Sequence, residues 1–361
     1  MRRTVLDLLL RMDKGGYSPI LLNNALKQSS QAPQNSQNKS AVTTLFYGVL
    51  ERRLTLDYVI AKLASGNPDA LVRAVLRMGL YELMFMSGEQ YAVVNETVNI
   101  APKRAKGYVN AILRGYIRKP VDFENAGLSV KYSCPQWLAD KWQKEYGEES
   151  ALQILRTSLE KPPIFDRDGY VQDESSYQAC VSLNPQAGEI ILDLCAAPGG
   201  KSLTTARLMN NTGRVIACDI NANKLKLVSA AAQRLGIGII ETLVNDAKVF
   251  NASLPQADKV ICDVPCSGLG VIRRKPEIKY KPESEFVTLP EIQLQILQTS
   301  SKYAKSILMY STCTLSRAEN DDVVDAFLAA NSNTFELVEK RTTIPSKDGG
   351  DGFFVAYLKR N

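Results

Sequence analysis

The feature that most constrains the fold is the alternation of short apolar runs with helical segments after about residue 166. The runs EIILDLC (189–195), RVIACDI (214–220) and KVICDV (259–264) have strand length and are rich in β-branched residues. IIETLVND and SILMYSTC supply further strands, and segments of helical periodicity separate the runs. Strand–helix alternation predicts an α/β fold with a parallel, doubly wound sheet and right-handed crossovers.

The first 120 residues carry a different pattern, in which apolar residues recur at spacings of three and four. LFYGVLERRLTLDYVIAKLA, LVRAVLRMGLYELMFM and YVNAILRGYIR all have the period of an amphipathic helix. The polar stretch QSSQAPQNSQNKS (28–40) is typical of an exposed loop. The sequence therefore predicts an all-helical domain over 1–121, a helical connector over 122–165 and an α/β domain over 166–361.

Cysteine and histidine usage restricts the chemistry. The chain has no histidine, which excludes the common zinc-ligand sets and the Ser-His and Cys-His nucleophile arrangements. Its seven cysteines include no C-x-x-C pair and indicate no disulfide framework. Proton transfers must therefore use Asp, Glu, Lys, Cys, Tyr or water, and we expect no metal.

Charge favours a polyanionic partner, because the chain carries a net charge of +6. Basic residues cluster at Arg52-Arg53, Lys103-Arg104-Lys106 and Arg273-Arg274-Lys275, a distribution that favours nucleic acid over a neutral metabolite. No apolar run approaches the roughly 20 residues of a membrane span. Charged residues also interrupt the Leu-rich start MRRTVLDLLLRMDKGG, which indicates an amphipathic helix and a cytoplasmic protein.

The strand ends carry candidate ligand-binding residues. DLCAAPGGK (193–201) joins a strand to a helix through small residues, so backbone N–H groups can approach a ligand closely. Asp219 ends the next strand, where an acid commonly accepts ribose hydroxyls, and Asp246 ends the third. Together these features predict an adenosine-containing ligand. The alternative is that they are only capping and turn residues.

An acid and a thiol follow the fourth strand, in ICDVPCSGLG (261–270). Taken alone, Cys266 is most simply a small apolar filler. However, Asp263 and Cys266 are expected to meet Cys313 at the ends of adjacent strands. This arrangement provides an acid and two thiols for a reaction that needs no histidine.

Several motifs together resemble one family. DLCAAPGGK, DVPCSGLGVIRRKPEIKY, YSTCTL and DGFFVAYLKR resemble the Sun/Fmu family of RNA cytosine-C5 methyltransferases. LFYGVLERRLTLDYVI, LYELMFM, AVVNETVNIA and GYVNAILR resemble the helical RNA-binding domain that these enzymes share with the antitermination factor NusB. The resemblance implies a NusB-like domain followed by a Rossmann-like methyltransferase domain that uses S-adenosylmethionine. It also implies a monomer that methylates carbon 5 of a cytosine in 16S (small-subunit) ribosomal RNA.

The reaction explains the need for thiols. Carbon 5 of cytosine attacks a sulfonium methyl only after a thiolate has added to C6 and made the ring enamine-like. By resemblance, Cys313 is that nucleophile, Cys266 assists release of the product, Asp263 contacts the cytosine edge and Lys201 adds positive charge. The other five cysteines are expected to pack or to line the cofactor site. The implied cofactor-binding residues are Cys195, Ala196, Ala197, Pro198, Gly199, Gly200, Lys201, Asp219, Asp246 and Asp263.

The chain departs from the family between LEKPP (159–163) and GYVQDESS (169–176), where relatives normally carry a small α/β RNA-contacting subdomain. One alternative is therefore a non-catalytic RNA-binding or ribosome assembly factor, although such a protein has no need of both thiols. Another is a methyltransferase acting on DNA or a small molecule, which the basic helical domain disfavours. A third assigns the attacking thiol to Cys266, as in DNA cytosine methyltransferases.

Overall fold

The helical periodicity of the N-terminal region forms seven α-helices in the computed structural model, which describes residues 1–28 and 36–361. The helix over Ala70–Phe85 is the most buried of the seven, and Asp69 caps its first turn by accepting the N–H of Val72 with its carboxylate. The helices are α1 (Arg2–Met12), α2 (Ser18–Gln28), α3 (Ser36–Glu51), α4 (Arg53–Leu63), α5 (Ala70–Phe85), α6 (Gln90–Ile100) and α7 (Lys106–Arg118).

Composition predicts a loop over the whole polar stretch 28–40, and this prediction is wrong for part of the stretch. Residues 36–40 begin α3, and residues 29–35 lie outside the described part of the chain. Polar residues are tolerated at a helix N-terminus, where the backbone N–H groups lack intrahelical partners. The apolar face further along α3 therefore extends the helix backward into the polar stretch.

Three more helices precede the sheet: α8 (Leu128–Lys131), α9 (Gln136–Thr157) and α10 (Glu174–Leu183). α9 is broken at Gly147, whose φ of +80° lies outside the helical region and is accessible mainly to glycine. The chain passes from one compact unit to the other within α9, between Gln143 and Lys144. The helical unit comprises Met1–Gln143, Ser158–Glu160 and Ile272–Lys281, and the α/β unit comprises the remainder of the chain.

The segment Ile272–Lys281 satisfies helix ends within the helical unit. The Glu277 carboxylate accepts the N–H and the hydroxyl of Ser18 at the start of α2, at 3.1 and 2.8 Å. Lys279 is fully buried, and its Nζ donates to the carbonyl of Glu51 at the end of α3, at 2.9 Å. A segment distant in sequence thus supplies partners for backbone groups that a helix cannot pair itself.

The α/β unit contains a seven-stranded sheet with the order β3-β2-β1-β4-β5-β7-β6. The strands are β1 (Ile190–Asp193), β2 (Arg214–Asp219), β3 (Ile240–Val244), β4 (Ala257–Asp263), β5 (Ala304–Thr312), β6 (Phe335–Thr343) and β7 (Phe353–Arg360). The helices α11 (Gly200–Leu208), α12 (Ala222–Arg234), α13 (Leu289–Ser301) and α14 (Asp321–Asn331) alternate with them.

Five of the strands are parallel, as the sequence predicts, but the sheet as a whole is mixed. β7 pairs antiparallel with both β5 and β6. β6 and β7 are joined without an intervening helix, and a short connection permits only antiparallel pairing. This pair lies at the edge of the sheet and leaves the parallel part intact.

The strand order reverses on either side of β1, which places a switch point between β1 and β4. In doubly wound sheets, ligands bind at such a point beyond the carboxyl ends of the strands. Both faces of the sheet are covered: Leu192 belongs to the apolar cluster on one face and Ile191 to the cluster on the other. Asp193 and Asp263 end the two strands at the switch point.

Two titratable side chains of the helical unit, the partly buried Glu51 and the buried Lys279, should make its stability depend on pH. Burial raises the pKa of Glu51 to about 7. Burial also lowers the pKa of Lys279 to about 8. A carboxyl with a raised pKa destabilises the folded state once it loses its proton, and a lysine with a lowered pKa does so while it remains charged.

We expect the free energy of unfolding of the helical unit to fall as pH rises from about 4.5 to about 7. In this range the folded state still holds the Glu51 proton that the unfolded chain has released. Glu51→Gln should remove the fall, which amounts to up to about 3 kcal/mol. Urea titrations at several pH values measure it through tryptophan fluorescence, because both tryptophans, Trp137 and Trp142, lie in the helical unit.

The control for this experiment is Glu124→Gln, which removes an exposed carboxylate from the same unit and should keep the pH dependence of the native chain. Lys279 should produce the opposite slope above pH 8, where the unfolded chain still binds the lysine proton. An unchanged fall between pH 4.5 and 7 in Glu51→Gln would show that another group causes it.

Candidate active site

The loop after β1 opens a cavity of about 210 Å³ at the switch point. Gly199 turns the chain into α11 with a φ of +112°, and a Cβ there would lie 3.2 Å from the Val228 side chain. Glycine is therefore required at this turn. The cavity is lined by residues 195–198, Gly200 and Lys201 of the loop, by Asp193 and Asp263 of the strand ends, and by residues 170–173 with Ser176.

Asp193 presents an unpartnered acceptor at the cavity. The side chain is fully buried, and its Oδ2 accepts a hydrogen bond of 2.6 Å from the Ser202 hydroxyl. Its Oδ1 has no partner in residues 1–28 and 36–361. Burial raises the pKa of Asp193 to about 7. A buried oxygen without a partner indicates that a bound molecule supplies the missing donor.

Asp193 is not among the predicted cofactor residues, although it ends the strand directly before the glycine turn. The same omission applies to Tyr170 and Gln172, which line the cavity from the segment before α10. Gln172 bonds to Thr204 on α11, so it braces the helix that carries Lys201. Its position depends on a contact 32 residues along the chain, for which no local pattern exists.

Three predicted cofactor residues do not line the cavity: Gly199, Asp219 and Asp246. Asp219 is nevertheless next to it, because its Oδ2 accepts the N–H of Ala197 at 3.2 Å and so ties the end of β2 to the loop. Asp246 accepts the N–H of Lys248 at 3.0 Å and forms an ion pair with that side chain at 3.8 Å. The remaining seven predicted residues line the cavity.

The buried Lys201 forms an ion pair with Asp263, with a 2.7 Å distance between Nζ and Oδ2. The Ser311 hydroxyl donates to the other oxygen of Asp263 at 2.7 Å. Burial lowers the pKa of Lys201, but attraction to Asp263 and its neighbours outweighs this, so the pKa ends above its ordinary value. Lys201 therefore stays charged, and the Asp263 side chain, one-third exposed, keeps a fixed orientation.

Cys266 and Cys313 come together beyond the ends of β4 and β5, with 3.4 Å between the two Sγ atoms. The hydrogen bond between the sulfurs raises the pKa of Cys266, and burial raises it further. Cys266 therefore holds its proton, and either sulfur can be the donor in this hydrogen bond. The two motif thiols therefore lie side by side beyond the carboxyl ends of adjacent strands.

Burial also raises the pKa of the other five cysteines. Burial raises the pKa of Cys195 well above its ordinary value. Burial raises the pKa of four fully buried thiols to about 12, which keeps them protonated at neutral pH. These are Cys134, Cys180, Cys218 and Cys262.

Of the three basic clusters, only the one at 103–106 forms an exposed patch. Lys103 and Arg104 are exposed at the turn before α7. Arg273 is buried, and Arg52 stacks over the Phe85 ring at 4.5 Å. Across residues 1–28 and 36–361, no group of Cys, Asp and Glu side chains is arranged to hold a metal ion, and no helix has the length and apolarity of a membrane span.

Two family models match the chain. Residues 1–118 match the NusB family, and residues 180–359 match the 16S rRNA methyltransferase RsmB/F family. Among solved structures, the crystal structure of PH0851 superposes with a TM-score of 0.79 at 22% identity and covers 99% of this chain and 97% of its own. That similarity establishes a common fold.

Similar curated proteins align along nearly their whole length. The probable ribosomal RNA small subunit methyltransferase B of Bacillus subtilis is 32% identical and covers all of this chain and 98% of its own. The ribosomal RNA small subunit methyltransferase B of Thermus thermophilus is 29% identical, with 99% and 97% covered. The Bacillus alignment has 445 positions against 361 residues here, so that protein carries at least 84 residues in segments that this chain lacks.

The cavity suits S-adenosylmethionine, because the unpartnered Asp193 oxygen can accept from an ammonium group and the small residues of the loop admit a close ligand. An alignment at 32% identity that runs through both regions indicates common descent of the whole chain. The chain therefore belongs to the RsmB/F family of S-adenosylmethionine-dependent 16S rRNA methyltransferases.

Proposed function

We propose that this protein methylates carbon 5 of a cytosine in 16S ribosomal RNA through a covalent adduct between Cys313 and C6 of the base. The observation that carries the proposal is the 3.4 Å approach of the Cys266 and Cys313 sulfurs. Two thiols in contact, one of them held protonated, match a reaction that adds a thiolate to a pyrimidine and later expels it.

Cys313 forms the bond to C6, and the ring electrons thereby become available at C5. When bound, S-adenosylmethionine supplies an electrophilic methyl group to that carbon. A water molecule then takes the C5 proton, and the electrons of the C5–H bond re-form the C5–C6 double bond. The bond between Cys313 and C6 breaks in the same step, and its electron pair returns to the sulfur. The Cys266 thiol stabilises negative charge on that sulfur through its hydrogen bond, both before attack and during expulsion.

Asp263 is proposed to accept a hydrogen bond from the exocyclic amine of the cytosine. Its carboxylate is oriented by Lys201 and Ser311 while remaining one-third exposed. The pairing with Lys201 also cancels the lysine charge, so that the site does not repel a sulfonium cofactor. Lys201 thus orients Asp263 and neutralises its charge.

The substrate partner is proposed to be ribosomal RNA, bound in the cytoplasm by a monomer. We propose residues 1–121 as an RNA-binding domain, 122–165 as a connector and 166–361 as the catalytic domain. Exposed Lys103 and Arg104 supply phosphate contacts in the first of these. The segment expected between residues 163 and 169 in relatives is proposed to account for much of the 84-position length difference.

The two thiols should give opposite results when removed. We expect Cys313→Ala to lower methyl transfer to small-subunit ribosomal RNA at least about a thousandfold and to leave no covalent adduct. Cys266→Ala should instead accumulate a denaturant-resistant protein–RNA adduct, because expulsion of the Cys313 sulfur slows. Denaturing gels with labelled RNA measure the adduct, and tritiated methyl transfer measures the reaction.

Cys134→Ala is the control for the thiol experiment, since it removes a buried thiol from the helical unit and should leave methylation within about twofold of the native rate. An adduct formed by Cys313→Ala and absent from Cys266→Ala would assign the attack to Cys266. Bisulfite sequencing of the methylated RNA tests the cytosine-C5 product directly.

Asp193 should make cofactor binding depend on pH. Because the pKa of Asp193 in the free protein is about 7, the carboxylate gains charge between pH 6 and 8. The affinity for cationic S-adenosylmethionine should rise over that range, and Asp193→Asn should bind more weakly, by about 1–3 kcal/mol, without the rise. Isothermal titration calorimetry of the full chain measures both effects.

Glu241→Gln serves as the control for Asp193, because it alters an exposed ion pair with Arg214. It should keep both the affinity and the pH dependence of the native protein. A rise with pH that persists in Asp193→Asn would mean that another group controls it. Absence of any binding at millimolar cofactor by the native chain would contradict the cavity assignment.

A further inference from the structure

Glu319 fixes the backbone on both sides of Cys266. Its buried carboxylate accepts the N–H of Ser267 through Oε2 at 2.8 Å and the hydroxyl of Ser267 through Oε1 at 2.5 Å. The same Oε2 accepts from Nε2 of Gln293 at 3.0 Å. Gln293 also donates to the carbonyl of Pro265 at 3.0 Å. Pro265 and Ser267 are the two neighbours of Cys266, so one carboxylate constrains both.

Asn320 fixes the backbone on both sides of Cys313 in the same way. The Thr312 hydroxyl donates to its Oδ1 at 2.6 Å, and its Nδ2 donates to the carbonyl of Thr314 at 3.0 Å. Asn320 is fully buried. Thr312 and Thr314 are the two neighbours of Cys313. Consecutive residues at the start of α14 therefore hold the flanks of both thiols.

Further contacts join the two loops to each other. The Ser267 hydroxyl lies 2.6 Å from the Thr314 hydroxyl, which also accepts the N–H of Leu269 at 3.3 Å. The Tyr310 hydroxyl donates to the carbonyl of Glu319 at 2.6 Å and anchors the segment to β5. A shift of Glu319 or Asn320 would therefore change the distance between the sulfurs.

The choice of glutamate is informative because burying a carboxylate costs free energy unless its oxygens are well partnered. The partners of Glu319 are an amide N–H, a hydroxyl and a side-chain amide, all neutral donors. A glutamine would turn an N–H group toward one of these donors, whereas a carboxylate accepts from all three. The negative charge of Glu319 also contributes to keeping the Cys266 proton in place.

We propose that Glu319 and Asn320 are the positioning residues of the thiol pair, with Glu319 setting Cys266 and Asn320 setting Cys313. The consequences for catalysis rest on the proposed function. The geometry of the thiol pair itself can be tested without RNA.

The first experiment measures the rate at which Cys266 and Cys313 form a disulfide bond. Diamide oxidises two thiols to a disulfide, and its N=N bond takes up the two electrons and the two protons. Cys266 and Cys313 should form a disulfide quickly in the native chain because their sulfurs already lie 3.4 Å apart. Glu319→Gln and Asn320→Asp should each slow this step at least tenfold, as measured by alkylation and peptide mass spectrometry.

Glu336→Gln, which removes an exposed carboxylate on β6, is the control and should keep the native rate. Native rates of disulfide formation in both Glu319→Gln and Asn320→Asp would overturn the proposal. If Glu319→Gln fails to fold, as judged by circular dichroism, Ser267→Ala and Gln293→Met each remove one of its partners. Slower disulfide formation in both of these variants supports the proposal, and an unchanged rate in both overturns it.

The second experiment separates positioning from general destabilisation. Glu319→Gln should accumulate the denaturant-resistant RNA adduct, because a misplaced Cys266 slows expulsion. Asn320→Asp should slow methyl transfer without an adduct, because a misplaced Cys313 slows attack. Both should lower kcat at an unchanged KM for RNA and bind the cofactor with native affinity, since neither residue lines the cavity.

A merely structural role predicts a different outcome, in which both variants lose cofactor affinity and show the same adduct level, and that outcome would overturn the proposal. If the native chain methylates no RNA, the proposed function fails by itself. The diamide rates still decide whether Glu319 and Asn320 position the thiols.

Discussion

The ion pair between Lys201 and Asp263 is the interaction on which the rest of the site depends. It joins the first turn of α11 to the end of β4 across the switch point, at 2.7 Å and largely out of water. Removing Asp263 would leave the buried charge of Lys201 without this partner, which costs far more than the pair itself contributes. Lys201 is the cation against two neighbouring carboxyls, and Asp193, the more buried of these, has the pKa of about 7. Burial is the main cause of that raised pKa, so the pair and the buried carboxyl beside it are distinct parts of the cavity.

The absence of histidine shifts proton handling to thiols and carboxyls. Position within the fold decides which thiol is reactive. Four buried cysteines have pKa values of about 12, and Cys266 is held protonated by Cys313 and by burial. The other motif thiol, Cys313, is its partner in the hydrogen bond between the two sulfurs. A pair of identical side chains thus acquires different roles from its surroundings, as pairs of carboxyls do in other enzymes.

Buried polar groups recur where separate stretches of chain meet. Glu277 and Lys279 satisfy the ends of α2 and α3 in the helical unit, and Glu319 and Asn320 satisfy the loops around the thiols in the α/β unit. Each of these contacts specifies a position, because a hydrogen-bonding group out of water has few acceptable partners. Apolar packing alone specifies these positions less strictly, because apolar side chains can repack in several ways.

Local patterns in the sequence were sufficient for the helices, the five parallel strands and the strand ends that carry Asp263, Cys266 and Cys313, because residue periodicity and turn residues act over a few positions. They missed the antiparallel edge pair, whose direction is set by connection length and by pairing with β5. Asp246, one of the predicted cofactor residues, pairs with Lys248 and does not line the cavity. Asp193, Gln172, Glu319 and Asn320 were overlooked for a physical reason. A polar residue gains its role from the partners it meets when distant segments pack, and Glu319 meets Ser267 across 52 residues of chain, a contact that only the folded chain creates.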